Sequence, residues 1–265
     1  MDLELNGKTA IITGGSRGIG KSIARELALE GVDVVIASRG LEALEATAKE
    51  LAAETGQRII PITVDTSDDD SVKAMVAQAN EALGHIDILV NNAAVAGGGA
   101  VPAWDELTQD NLWDDMNVKV MGYLRGAQAV APLMKAQGWG RIINISGMAA
   151  RNAGSTIGSV RNVSVVALTK NLANLLGPDG INVTVVHPGA TRTERTAGMI
   201  AGRAQSSGVS EAEVEQQMNE GNSIKHLVDS REVAYVVTFL ASPRSIAING
   251  DVIAAGGGMG AAIHY

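Results

Sequence analysis

No cysteine occurs among the 265 residues, which excludes a disulfide framework, a thiolate nucleophile and any cysteine-ligated metal, and fits a reducing compartment. Aromatic residues make up 3% of the chain, with one phenylalanine, three tryptophans and three tyrosines, so a pocket built on stacking has little material. The tyrosines are Tyr123, Tyr235 and Tyr265, and none falls between positions 124 and 234. Positive charge is in the minority: 21 Lys and Arg face 29 Asp and Glu, a net charge of −8, which argues against the concentrated basic patch of a nucleic-acid binder. No apolar run approaches the ~20 residues that span a bilayer, and residues 1–8 (MDLELNGK) show neither the basic nor the apolar segment of a secretion signal. No cluster of His, Asp and Glu has metal-ligand spacing, and Asp68-Asp69-Asp70 reads as a charged helix start. The expectation is a cytoplasmic, soluble protein acting on a small molecule, with no metal, nucleic acid or membrane partner.

What is present is apolar and ordered. Hydrophobic residues reach 46%, enough for one sizeable core, and the 31 glycines fall where turns would separate apolar runs. Short β-branched runs at 9–13, 32–37, 59–64, 86–90, 141–146, 181–186 and 251–254 alternate with helical patterns at 20–30, 41–55, 67–83, 104–135, 159–176 and 231–240. Strands that are apolar throughout, separated by helices, predict an α/β fold: a doubly wound parallel sheet of about seven strands with helices on both faces, in three α/β/α layers, as one domain over 1–265. Ser67-x-x-Asp70 resembles a capping box with Asp in place of Glu. The glycine-punctuated polar stretch 194–230 carries one clear cap, Ser210-x-x-Glu213, and reads either as a substrate lid with one short helix or as a solvated surface excursion.

The segment Thr13-Gly14-Gly15-Ser16-Arg17-Gly18-Ile19-Gly20 ends the first strand and opens the first helix. Glycines there let the backbone approach a pyrophosphate, while the helix N-terminus offers free N–H groups and a positive dipole end. With that context the chain resembles the short-chain dehydrogenase/reductase family, whose loop reads Thr-Gly-x-x-x-Gly-x-Gly on a Rossmann fold. Val64-Asp65-Thr66 is similar to the family's adenine-side segment, and Asn91-Asn92-Ala93-Ala94 to its Asn-Asn-Ala-Gly. Trp113-Asp114-x-x-Asn117 resembles its central helix, Pro188-Gly189-x-Thr191-x-Thr193 its nicotinamide-side loop, and Gly256-Gly257 the end of its last strand. At the end of the second strand, where a carboxylate would accept from a ribose 2′-OH, the chain reads Ser38-Arg39. Arg39, with Arg17 from the glycine loop, suits a 2′-phosphate, so NADP(H) is favoured over NAD(H). A solvated Arg39 at a helix start is the plain alternative.

In the family a Tyr exchanges the proton, a Lys four residues on assists it, a Ser steadies the substrate oxygen and an Asn completes a relay. Counting back from Ala167-Leu168-Thr169-Lys170 puts the Tyr and Lys positions on Gly158 and Asn162. Asn117 matches the relay Asn, and Ser146, followed by Gly147 where a Ser-Ser pair is usual, matches the Ser ambiguously. Arg161 could hold an oxyanion but is a poor proton donor, and Asn162 could bond ribose hydroxyls; ordinary packing is the alternative for both. His187 is the best-placed general acid because imidazole titrates near neutrality, but it ends a buried run and reads more readily as a core or strand-end histidine; His85, His226 and His264 suggest no role, and Lys119 is expected to point to a different face from Asn117. The resemblance implies an NADP(H)-dependent oxidoreductase for an alcohol or carbonyl with a non-standard catalytic site. A cofactor-binding protein without catalysis, and a non-redox lyase or isomerase on the same fold, are the alternatives. It also implies a homo-oligomer, tetramer or dimer, formed through the central helices.

Overall fold

The computed structural model describes residues 1–94, 104–261 and 263. In chain order the elements are β1 (Thr9–Thr13), α1 (Gly18–Leu29), β2 (Asp33–Ser38), α2 (Leu41–Thr55), β3 (Ile59–Thr63), α3 (Asp69–Leu83), β4 (Ile88–Asn91) and α4 (Gln109–Met116). A π-helical turn, Asn117–Met121, leads into α5 (Gly122–Gln137), β5 (Gly140–Ile145), α6 (Thr156–Leu176), β6 (Ile181–Pro188) and β7 (Thr191–Arg192). The chain ends with α7 (Thr196–Ser207), α8 (Glu211–Glu220), β8 (Val228–Asp229), α9 (Ser230–Ala241) and β9 (Val252–Ala255).

Seven strands form one sheet in the order β3-β2-β1-β4-β5-β6-β9, every neighbouring pair parallel. Successive side chains of a strand point to opposite faces, and here both faces are covered. Ala10, Ile12, Val34 and Ile36 join the core under α1, α2 and α9, whereas Ile11, Val35 and Ala37 join the core under α3, α5 and α6. This is the three-layer, doubly wound arrangement expected from the continuous apolar strands. The winding reverses between β1 and β4, so the loops that follow these strands diverge and leave a crevice at the carboxyl end of the sheet.

Three local expectations change. The helix read over 104–135 starts at Gln109, where the Thr108 hydroxyl accepts from the Asn111 N–H at 3.2 Å and the Asn111 side chain returns a bond to the Thr108 N–H at 3.1 Å, and the π turn interrupts it. Helix α3 is capped by Asp68, which accepts from the Ser71 N–H at 2.6 Å. Ser67 is not the cap, because its N–H and hydroxyl both donate to Asp65, at 2.9 and 2.6 Å. The stretch 194–230 holds two helices, not one, packed together through Ile200, Ala204 and Val214. Its ends are tied by β7 pairing with β8.

Candidate active site

The crevice is a cleft of about 900 Å³. From the glycine loop Gly14, Ser16, Arg17, Gly18 and Ile19 line it; Ser38 and Arg39 follow from the end of β2, Asp65 and Thr66 from the end of β3, and Asn92, Ala93 and Ala94 from the end of β4. Pro188, Gly189, Thr191 and Thr193 close the opposite wall. Thr13 and Gly20 stand behind this surface and hold it. The Thr13 hydroxyl accepts from the N–H groups of Asn92 and Ala93, and the Asn92 amide donates back to the carbonyls of Thr13 and Gly14, all at 3.0–3.1 Å. A Cβ on Gly20 would lie 2.2 Å from the Gly14 carbonyl oxygen, so only glycine lets α1 start this close to β1.

Helix α1 begins without a side-chain cap from its own loop. The N–H of Gly18 donates instead to the carboxylate of Glu194, 2.7 Å away and 176 positions later in the chain. An anion at a helix N-terminus is favoured by the unpaired N–H groups and by the dipole. The loop therefore behaves as an anion cradle. Nearby, Arg17 and Arg39 are exposed, and the hydroxyl and N–H of Ser67 hold the Asp65 carboxyl below the usual carboxylate range.

At the other end of the cleft Ser146, Asn162, Arg161 and Lys119 come together. Lys119 was expected on a different face from Asn117, and it is; the face that meets the cleft is that of Lys119. Asn117 is not part of the cleft wall. Its side-chain oxygen and its carbonyl both accept from Arg125, at 2.9 and 3.1 Å, and its amide donates to the Ser67 carbonyl at 3.4 Å. Residues two apart on a helix do not share a face, so pinning Asn117 outward turns Lys119 inward. Its ammonium nitrogen lies 3.1 Å from the Ser146 carbonyl and 3.2 Å from Asn162 Oδ1, with the residue 4% exposed. Burial, and then the Arg161 guanidinium, push the Lys119 ammonium down to about 7, against a smaller upward pull from Asp115. The Ser146 hydroxyl donates to the Asn162 carbonyl at 3.1 Å. Arg161 donates through one terminal nitrogen to both oxygens of Asp115, at 2.7 and 2.9 Å, and its Nε lies 3.3 Å from Asn162 Oδ1.

Gly158 lies outside this cluster: its N–H donates to Ser155, the cap of α6. His187 is buried in β6, opposite Ala254 of β9, and His264 lies outside the described residues. Sequence reasoning missed Asp115 and the inward Lys119. The polar residues at 115 and 119 flanking Asn117 carried a signal only if the helix face had been known.

The family model described as short chain dehydrogenase matches residues 8–204. The chain belongs to the short chain dehydrogenase family. Relatives match nearly end to end. The NADPH-dependent reductase BacG of Bacillus subtilis is 29% identical, covering 95% of this chain and 97% of its own. The 3-oxoacyl-(acyl-carrier-protein) reductase FabG of Aquifex aeolicus is 31% identical, covering 98% of this chain and 100% of its own. Among solved structures, L-sorbose reductase from Gluconobacter frateurii, complexed with NADPH and L-sorbose, superimposes with a TM-score of 0.91 at 30% identity over 98% of each chain. No Tyr-x-x-x-Lys occurs in this sequence, since Ala127 and Phe239 stand four residues after Tyr123 and Tyr235.

Proposed function

We propose that the protein is an NADP(H)-dependent oxidoreductase that interconverts a carbonyl and an alcohol on a small molecule. The observation that carries this is the convergence, in one cleft, of an anion cradle and exposed arginines at one end with the buried Lys119–Ser146–Asn162 cluster at the other. The residues fit a phosphorylated dinucleotide. The glycines leave room for a pyrophosphate, the N–H of Gly18 already donates to a carboxylate, that of Glu194, and Arg39 with Ser38 and Arg17 suits a 2′-phosphate. Asp65 and Thr66 would border the adenine; Asn92, Ala93, Ala94 and the segment 188–193 would border the nicotinamide, and Asn162 would bond the ribose. The bound cofactor would supply or accept the hydride. Ser146 would steady the substrate oxygen. Arg161, committed to Asp115, would add fixed positive charge, and Asn117 would act by anchoring the turn that carries Lys119.

NADPH fluorescence titration tests the cofactor half, with at least tenfold tighter binding than NADH expected. NADPH oxidation with L-sorbose, the sugar of the solved reductase complex, and with ethyl acetoacetate, a small 3-oxo ester, tests the chemistry. Failure to bind either cofactor would overturn the reading. Saturable binding with no carbonyl-dependent oxidation would favour a second reading, a cofactor-binding protein without turnover, for which the absent tyrosine speaks.

We also propose that 194–230 acts as a lid hinged on the β7–β8 pair within a single domain, and that the chain forms a homo-oligomer. The π turn and α6 leave Met121, Val160 and Val163 exposed at 42%, 43% and 50%, an apolar surface suited to a second copy. Among the described residues no helix is long and apolar enough to cross a membrane.

A further inference from the structure

We propose that Lys119 is the proton-transferring catalytic residue, exchanging a proton between its ammonium and the substrate oxygen, an inference that rests on the oxidoreductase reading above. Geometry makes the first argument. An ammonium has three N–H donors. Two are taken by the Ser146 carbonyl and Asn162 Oδ1, and the third remains for an oxygen in the cleft that Lys119 lines. After the proton leaves, the neutral amine still has two N–H groups for the same two acceptors, and its lone pair takes the place of the lost proton. Both protonation states therefore keep the surrounding polar groups satisfied, as a proton-exchanging group in a buried site requires.

Elimination makes the second. The titratable residues lining the cleft are Arg17, Arg39, Asp65, Lys119, Arg161, Glu194 and Arg195 among the described residues. Arginines do not release protons at neutral pH, Asp65 is held ionised by Ser67, and Glu194 is bonded to Gly18 at the anion cradle. Electrostatics make the third. Among the described residues no carboxylate is bonded to the Lys119 ammonium. The groups facing it are Arg161 on α6, Asp115 on α4 behind that arginine, and the Tyr123 ring on α5 at 5.9 Å. A buried ammonium without an ion-pair partner is costly, and such groups concentrate where a proton must move near neutral pH.

In carbonyl reduction a bound dihydronicotinamide would supply the hydride, with its electron pair, to the carbonyl carbon. The proton passes from Lys119 Nζ to the oxygen: an N–H bond breaks, an O–H bond forms, and the neutral amine is reprotonated from solvent. Alcohol oxidation runs the same transfer backwards. Reduction should therefore be fastest below pH 7 and fall above it, with oxidation rising over the same range.

The first test needs no turnover. Acylation of Lys119 by acetic anhydride, followed by mass spectrometry across pH, should show half-maximal reactivity near pH 7; half-maximal reactivity near the value of an ordinary lysine would overturn the proposal. The second uses Lys119→Met, which keeps the buried stem, and Asn162→Asp, which puts a carboxylate beside the ammonium. Lys119→Met should bind NADPH within about threefold of wild type but reduce ethyl acetoacetate or L-sorbose about 10²–10⁴-fold more slowly. Asn162→Asp should move the pH midpoint of Lys119 acylation upward by one unit or more. Turnover by Lys119→Met at the wild-type rate and pH profile would overturn the proposal and leave the oxidoreductase reading standing. NADPH binding without any turnover in the wild type would overturn both.

Discussion

Arg39 and Lys119 are cations in the same cleft, and exposure separates what each can do. Arg39 is exposed and is screened by solvent, so its contribution to a 2′-phosphate should sit at the low end for a charge-assisted hydrogen bond, about 1.5 kcal/mol. Arg39→Ala should weaken NADPH binding about tenfold and leave NADH binding nearly unchanged, which paired fluorescence titrations would show. Lys119 is buried, and its depressed value has a consequence for folding. The unfolded chain holds the Lys119 proton up to its ordinary 10.5, whereas the folded protein releases it at about 7. Between those values the unfolded state binds more protons, so this residue makes stability rise with pH across that window. Urea unfolding at pH 7 and pH 9.5 should show a larger gain for wild type than for Lys119→Met, and equal gains would contradict the burial of an ionisable amine. The sequence made Asn117 visible through its neighbours Trp113 and Asp114. It left Lys119 and Asp115 obscure, because which face of a helix meets a cleft depends on partners such as Arg125 that lie a turn or more away.

Among the elements, the start of α1 concentrates the consequences. A backbone carbonyl, with the Asn92 amide beside it, occupies the space that a Cβ at Gly20 would need, and the carbonyl cannot swing aside as a flexible side chain would. Gly20→Ala should lower the thermal midpoint and weaken NADPH binding more than tenfold. The Glu194 carboxylate occupies the N–H of Gly18 that the glycine loop would present to a phosphate, so a dinucleotide has to displace it. Glu194→Gln removes an exposed anion worth about 0.3–1 kcal/mol at a helix N-terminus, and NADPH should bind about twofold to fivefold more tightly; weaker binding would show that Glu194 supports the site instead of competing for it. The same region shows what an element needs to be read from sequence. Helix α8 announces itself through the Ser210–Glu213 box, whose bonds form as expected. Helix α7 has Arg195 at its start, with no side-chain cap bond, and so left no signal. Strands β7 and β8 are two residues each, too short for any alternation to register.

For the whole molecule, the alternation of apolar strands and helices was enough to predict the sheet and its two covered faces, because each strand's residues had to be buried on both sides. The proposed assembly rests on a weaker signal, the apolar side chains of Met121, Val160 and Val163 left at the surface. Val163→Asp should shift the protein to a smaller species in light scattering, and an unchanged mass would exclude this face as the contact. The central claim, hydride transfer through this cleft, is tested most directly with NADPH deuterated at the transferring position of nicotinamide C4. Incubated with the protein and ethyl acetoacetate or L-sorbose, the product alcohol should carry deuterium at the former carbonyl carbon. Saturating NADPH binding with no deuterium in any product would contradict the account.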